Sequence, residues 1–303
     1  MPNIWTHMLF CEDVIDSIGN PQSLPKHSYI INLGAQGPDP FFYFNFWPWV
    51  KDEPVHQIGN LLHTEKCGEF LLDLIHLAKH KSVEIKSYVF GFVTHHILDR
   101  NAHPYIHYRA GYEGNKHQKL EVIIDTLMME RYKNLKTWKT PVYKEIHLHK
   151  KQKQDISEVL HQVILKHYPE VKRSSSDYIQ KAFSDMHLAL KLLADPHGWK
   201  NKLLKSMVSS FSHQPITEHK DYLNLEHTTW YHPATNEASK KSFIDLYEQA
   251  RIEGIEVMRK VLDYWKDDSS NRSDLVDIIG DISYDTGLPL HLNLSNKYSE
   301  PIV

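Results

Sequence analysis

His95, Asp99 and His103 follow one another at steps of four residues, and His117 and Glu121 repeat that step shortly afterwards. On an α-helix a four-residue step turns ~40° and rises ~6 Å, so each set projects from one face. Neutral imidazole nitrogens beside anionic carboxylate oxygens, held close together on rigid backbone, suit a borderline cation such as zinc. A lone histidine on an apolar helix face is usually a hydrogen-bonded core residue. Two histidines flanking an aspartate are different, because a buried ionised carboxylate is costly without a cation and a metal removes that cost. Val89, Phe90, Phe92 and Val93 turn this helix inward. The spacing therefore predicts a multinuclear metal site. His96 lies ~100° around the helix from His95 and is expected to pack or hydrogen-bond outside the ligand set. His107 is an alternative to His103 if the helix stops at Pro104.

The elements that position these residues read as helices. Apolar residues recur at three- and four-residue steps in Phe70, Leu71, Leu74, Ile75, Leu77 and Ala78, and again in Leu120, Ile123, Ile124, Leu127 and Met128. Further helical patterns are expected near 153–167, 176–193, 199–211 and 239–265. Ser174 to Asp177 offers capping chemistry for one of these, and Glu237 to Ser239 for another. Tyr29 to Leu33 is the best short strand candidate, though it fits a helix equally. Residues 33–54, rich in proline, glycine and aromatics, read as a long loop or short turns, because Pro38 and Pro40 oppose a continuous helix. A polar connection at 137–155 suggests a metal-bearing region over 1–140 and a second helical region over 141–303, packed as one unit. Residues 266–274 read as an exposed loop. The expected fold is all-α.

Bulk properties exclude several classes. With 303 residues, 41% of them hydrophobic, the chain has material for a large core, and a net charge of -3 gives no global basic field for nucleic acid. Cys11 and Cys67 are too few for a disulfide framework or a cysteine zinc ribbon. No apolar run approaches the ~20 residues that span a bilayer, and residues 1–7 lack the basic start and apolar run of a secretory signal, so the expected compartment is the cytoplasm.

The order His-x3-Asp, another His, then His-x3-Glu resembles the centre of the zinc-dependent phospholipase C family, an all-helical group related to single-strand-specific zinc nucleases. His95, Asp99, His103, His117 and Glu121 match in order. Thr6-His7-Met8 resembles the family's early helical ligand, and Gly37-Pro38-Asp39 resembles the loop whose aspartate binds metal and is proposed as general base. The resemblance covers about residues 1–135. It implies two or three zinc ions. One would use Asp39, His95, Asp99 and a histidine from 56–63; a second would share Asp99 and use His7; a third would use His103, His117 and Glu121. His63 begins a strongly amphipathic segment and is favoured over His56, two helical turns away. The secreted members supply an N-terminal Trp to one zinc, whereas here Trp5 is internal and no signal precedes it. The implied activity is hydrolysis of a phosphodiester, either a phospholipid or a smaller soluble ester, with Asp39 acting on the water; a zinc nuclease and a non-catalytic metal-stabilised protein are the alternatives. An HD-type phosphohydrolase is disfavoured because the chain has no His-Asp dipeptide.

Around this set, Arg100 and Arg109 are candidates to grip a phosphate bidentately. Phe41, with the aromatic run through Trp49, either lines a substrate cleft, meets lipid or packs over the bundle. His213, His219, His227 and His232 have no ligand-like spacing but fall in a region that could cover the site. Asp281 and Asp285 read as turn or helix-terminal residues.

Overall fold

The computed structural model describes residues 3–19, 21, 24, 28–47, 49–50, 54–171, 173–198, 200, 202, 210–266 and 272–303. Ten α-helices are present among them: α1 (Ile4–Ser17), α2 (Tyr29–Gly34), α3 (Pro54–Thr64), α4 (Cys67–Ala78), α5 (Val83–Ala110), α6 (Lys116–Lys133), α7 (Lys150–His167), α8 (Asp177–Leu193), α9 (Phe243–Lys266) and α10 (Ser273–Ile279). Only two two-residue strands accompany them, Trp230–Tyr231 antiparallel to Ala238–Ser239. The protein is all-α, and none of its described helices is long and apolar enough to cross a membrane.

Helix α5 is the axis of the fold. Its 28 residues span ~42 Å, and 24 of them are buried, so it has no solvent face and is wrapped on all sides. Ser82 caps its start by accepting from the Ile85 amide. Helices α1, α2, α4, α6 and α9 surround it. Helix α2 approaches most closely: a side chain at Gly34 would strike the Tyr88 carbonyl, and one at Gly91 would lie 2.5 Å from the Ala35 amide nitrogen. Tyr29 to Leu33 is thus helix, not strand, started by Ser28 accepting from Ile30.

Several boundaries depart from the sequence reading for local reasons. Helix α5 continues through Pro104 to Ala110, which keeps His107 in the same stripe as His103. The cap of α9 is Ser242, which exchanges hydrogen bonds with Asp245, not the Glu237 to Ser239 stretch, whose end belongs to the short sheet. Ser176 precedes α8 without a side-chain cap bond. The 33–54 stretch contains a 3-10 turn (Asp39–Tyr43), and the 137–155 connection holds two more (Thr137–Lys139 and Val142–Ile146) before α7 begins at Lys150. Of the helix expected over 199–211, residues 199, 201 and 203–209 lie outside the described residues, as do 267–271 of the 266–274 loop; α10 already begins at Ser273.

Candidate metal centre

Four elements converge on Asp99, which is fully buried in the middle of α5. Its two oxygens face different neighbours. Oδ2 lies 3.0 Å from His95 Nε2 and 4.0 Å from His63 Nε2; Oδ1 lies 3.3 Å from His7 Nε2 and 3.8 Å from His103 Nε2. Asp39 Oδ1 completes the Oδ2 side, 3.6 Å from His63 Nε2 and 3.7 Å from His95 Nε2. Zinc bonds of ~2.0–2.1 Å in a tetrahedron place donors roughly 3.3–3.4 Å apart. The four spacings among Asp39, His63, His95 and Asp99 bracket that value.

Backbone contacts fix how the rings present themselves. His95 donates Nδ1–H to the Ala35 carbonyl at 2.9 Å, and His63 donates Nδ1–H to the Gly59 carbonyl at 2.6 Å. His63, kept neutral by burial, then turns its Nε2 lone pair toward the Asp39 and Asp99 oxygens, and His95 does the same once the proton that those carboxylates favour is released. Asp39 Oδ1, both oxygens of Asp99, both nitrogens of His7, and Nε2 of His95 and His103 are buried without a hydrogen-bond partner. Buried polar atoms without partners on both sides of the Asp99 carboxylate fit cations.

Protonation follows the same logic. Burial depresses His7 to about 4 and His103 to about 3, and lowers His63 as well, so these rings are neutral near pH 7. Burial would raise Asp99, but His103, His95 and His7 outweigh it and hold the carboxyl well below its ordinary range. Burial pushes Asp39 up to about 7.

Each donor is held by its own element. The first turn of α1 is anchored by Asp125 of α6, which accepts from the Trp5 and Thr6 amides at 2.9 and 2.8 Å; this aims His7 at Asp99 and packs its ring 4.0 Å from that of His95. Asp125 carried no signal in the sequence. Gly37, with φ +49°, makes the turn into Asp39, and a Cβ there would collide with the His95 ring. Gly37→Ala is therefore expected to push His95 off its position, weakening zinc binding at least tenfold. It should also cost about 2 kcal/mol through overpacking and the left-handed backbone, lowering the melting temperature by roughly 4 °C. Chelator competition and a thermal melt check this.

Further along α5 lies a second group. His103, His117 and Glu121 present donor atoms within 4.8 Å of one another, with His117 Nε2 2.6 Å from Glu121 Oε1. His107 adds to this end, its ring centroid 4.6 Å from that of His117. Of the upstream pair, His63 enters the centre, whereas His56 Nε2 bonds the Phe44 carbonyl at 2.5 Å.

The three residues anticipated to touch substrate all have partners within the fold. Arg100 neighbours Asp99 in sequence but points ~100° away around the helix, where it pairs with Glu253 and donates to the Ile279 carbonyl. Arg109 pairs with Glu300 at 3.2 Å. Phe41 is core, 1% exposed and packed on Tyr178. The rest of the aromatic run divides: Phe44 is buried, the Phe42 ring lies 5.5 Å from that of His63, and Phe46, Trp47 and Trp49 stack in a row that ends on an exposed Trp49. His96 donates to the Ile282 carbonyl, outside the ligand set as expected. Asp281 accepts from the Gly68 amide at the start of α4, a helix-terminal role. Asp285 is the correction: it is not a mere turn residue but lies 3.4 Å from His103 Nδ1 and 3.7 Å from His107 Nε2.

No curated protein and no solved structure matches the chain. The family model for zinc-dependent phospholipase C matches residues 6–178, reaching past the 1–135 stretch of the motif resemblance to the start of α8. That span takes in every donor grouped around Asp99 and the His117–Glu121 pair, and it is more than half of the sequence; the chain belongs to the zinc-dependent phospholipase C family.

Proposed function

We propose that the protein is a zinc-dependent phosphodiester hydrolase acting through the centre around Asp99. The observation that carries this reading is the pair of Asp99 oxygens, Oδ2 facing His95 Nε2 and Oδ1 facing His7 Nε2 and His103 Nε2, three buried nitrogens without a hydrogen-bond partner. Asp99 is then a bridging carboxylate between an ion at Asp39, His63 and His95 and another at His7, with His103, His117 and Glu121 holding a third. Zinc held by these residues would polarise phosphate oxygens and lower the pKa of a water.

The chain's own residues supply the rest. Asp39 is the most exposed donor of the inner group, its side chain 10% accessible against 0% for His95 and Asp99, so it meets water entering the centre. In this reading Asp39 orients that water and accepts its proton as the water attacks phosphorus. Arg100 and Arg109 are committed to Glu253 and Glu300, so neutralising the phosphate falls to the metal group.

The test is elemental analysis followed by assays on bis-p-nitrophenyl phosphate, phosphatidylcholine and single-stranded DNA. Stoichiometric zinc and zinc-dependent turnover of a phosphodiester are expected. Asp39→Asn should lower kcat by on the order of 10²–10⁴, the usual contribution of a general base. Turnover on DNA alone would make the protein a nuclease. Absence of bound metal would overturn the reading, and unaltered kcat in Asp39→Asn would remove the role given to that residue.

A further inference from the structure

The loop between Ile282 and Pro289 packs against the centre, although it lies far beyond residue 178, where the family match ends. Ile282 and Pro289 form an antiparallel bridge, and the Ser283 and Gly287 amides donate to the Leu288 and Ser283 carbonyls at 3.0 Å. The loop is thus closed by its own backbone. It is also pressed onto α5: Gly287 has φ +64°, and a Cβ there would lie 2.1 Å from the Arg100 carbonyl oxygen. On its other side Asp281 accepts from the Gly68 amide of α4.

Tyr284 meets the donors through both its backbone and its ring. Its amide donates to the His63 carbonyl at 3.1 Å, and its carbonyl accepts from His103 Nδ1 at 3.1 Å. A carbonyl has no proton to give, so this bond places the single proton of neutral His103 on Nδ1. Nε2, buried and without a hydrogen-bond partner, is left as the nitrogen that can hold a metal. The Tyr284 ring, fully buried, lies 4.9 Å from that of His63 on α3. On α5 it lies 6.0 Å from the ring of His95 and 4.4 Å from that of His96, which donates to the Ile282 carbonyl at 2.9 Å.

We propose that Tyr284 is a positioning residue of the metal centre: its carbonyl fixes the tautomer of His103, and its amide and ring hold α3 against α5 so that His63 stays in register with His95. The inference rests on the zinc reading above. In that reading His63 and His103 serve different ions, so one loop sets the geometry of two. The loop contributes no donor of its own. Groups that orient ligands from behind are worth about 10–100-fold in metal affinity, because a ring free to turn or change tautomer must be ordered when the ion binds.

Zinc titration of metal-free full-length protein against a chromophoric chelator tests this, well below the melting temperature of each variant. Tyr284→Ala should bind zinc about tenfold more weakly than the wild type with an unchanged far-UV circular dichroism spectrum. Tyr284→Phe, which keeps the ring, should match the wild type within about twofold. Linkage makes the effect reciprocal: a loop that holds the donors is itself held by zinc. Hydrogen exchange of the wild type supplies this second arm, which needs no variant to fold. Zinc should slow exchange in residues 281–290 at least tenfold, and by more than in α8, which carries no donor. Wild-type zinc affinity in folded Tyr284→Ala, or a loop slowed no more than α8, overturns the inference and leaves the zinc reading standing. Wild-type protein that binds no zinc removes both.

Discussion

Replacing Asp99 with asparagine is expected to empty the centre of zinc and lower turnover by on the order of 10³ or more. The residue turns one oxygen to each side of the site, so under the proposed bridging role its loss removes a donor from two ions together. Losing ~4 kcal/mol of charge stabilisation in the transition state corresponds to about a thousandfold in rate. In the metal-free protein the fully buried carboxylate is held ionised by the imidazoles around it, which outweigh its desolvation, so its charge contributes to the fold at neutral pH. Asparagine keeps the shape without that charge, so metal-free Asp99→Asn should melt lower than metal-free wild type, and the metal-loaded comparison should favour the wild type by a wider margin. Elemental analysis with paired melts in zinc and in chelator measures both. An Asp99→Asn protein that keeps its full zinc content would remove the bridging role.

The stripe on α5 was legible because the helical period converts a four-residue spacing directly into a shared face, and His95, Asp99 and His103 project together as that period requires. His63 could be favoured over His56 from its place in an amphipathic helix. Information that depends on distant chain crossings was not legible. Arg100 is adjacent to a ligand in sequence, and only its pairing with Glu253, on α9, shows where it points. Asp125 looks like any acidic residue in a helix until the start of α1 is seen resting on its carboxylate. Asp285 sits in Tyr284-Asp285-Thr286-Gly287, a turn by composition, and lies 178 residues beyond His107. No local pattern joins them; the packing of the C-terminal segment does. Whether α5 would stop at Pro104 was open for a related reason: a central helix wrapped on all sides gains enough from packing to carry a proline that an isolated helix would not.

Acid should strip the metal, and the stability of the metal-free and metal-loaded forms should diverge as pH rises. Burial holds metal-free Asp39 at about 7, and although burial alone would lower His95, the Asp99 and Asp39 carboxylates outweigh it and raise that ring. An ion must displace a proton from each group that is protonated, so zinc affinity is flat at pH above both values. Below about pH 7 it should fall by up to tenfold per pH unit through Asp39, and the raised His95 adds its own dependence. The metal-free fold responds in the other direction. The folded value of Asp39 lies above the ordinary carboxylate value near 4, so its neutral form favours the fold at low pH, and that contribution is lost as pH rises from about 4 through about 7. Zinc at ~1,000 times its dissociation constant adds ~4 kcal/mol to the loaded form, or roughly 8 °C in a chain of this size. The gap in melting temperature between zinc and chelator should therefore be widest near pH 8 and close toward pH 5. The wide end follows from Asp39 being an anion that only a cation can accommodate, and the narrow end from a proton taking the cation's place. A gap that stays constant from pH 5 to pH 8 would mean that Asp39 is not a ligand, and no gap at pH 8 would mean that zinc does not bind the folded centre.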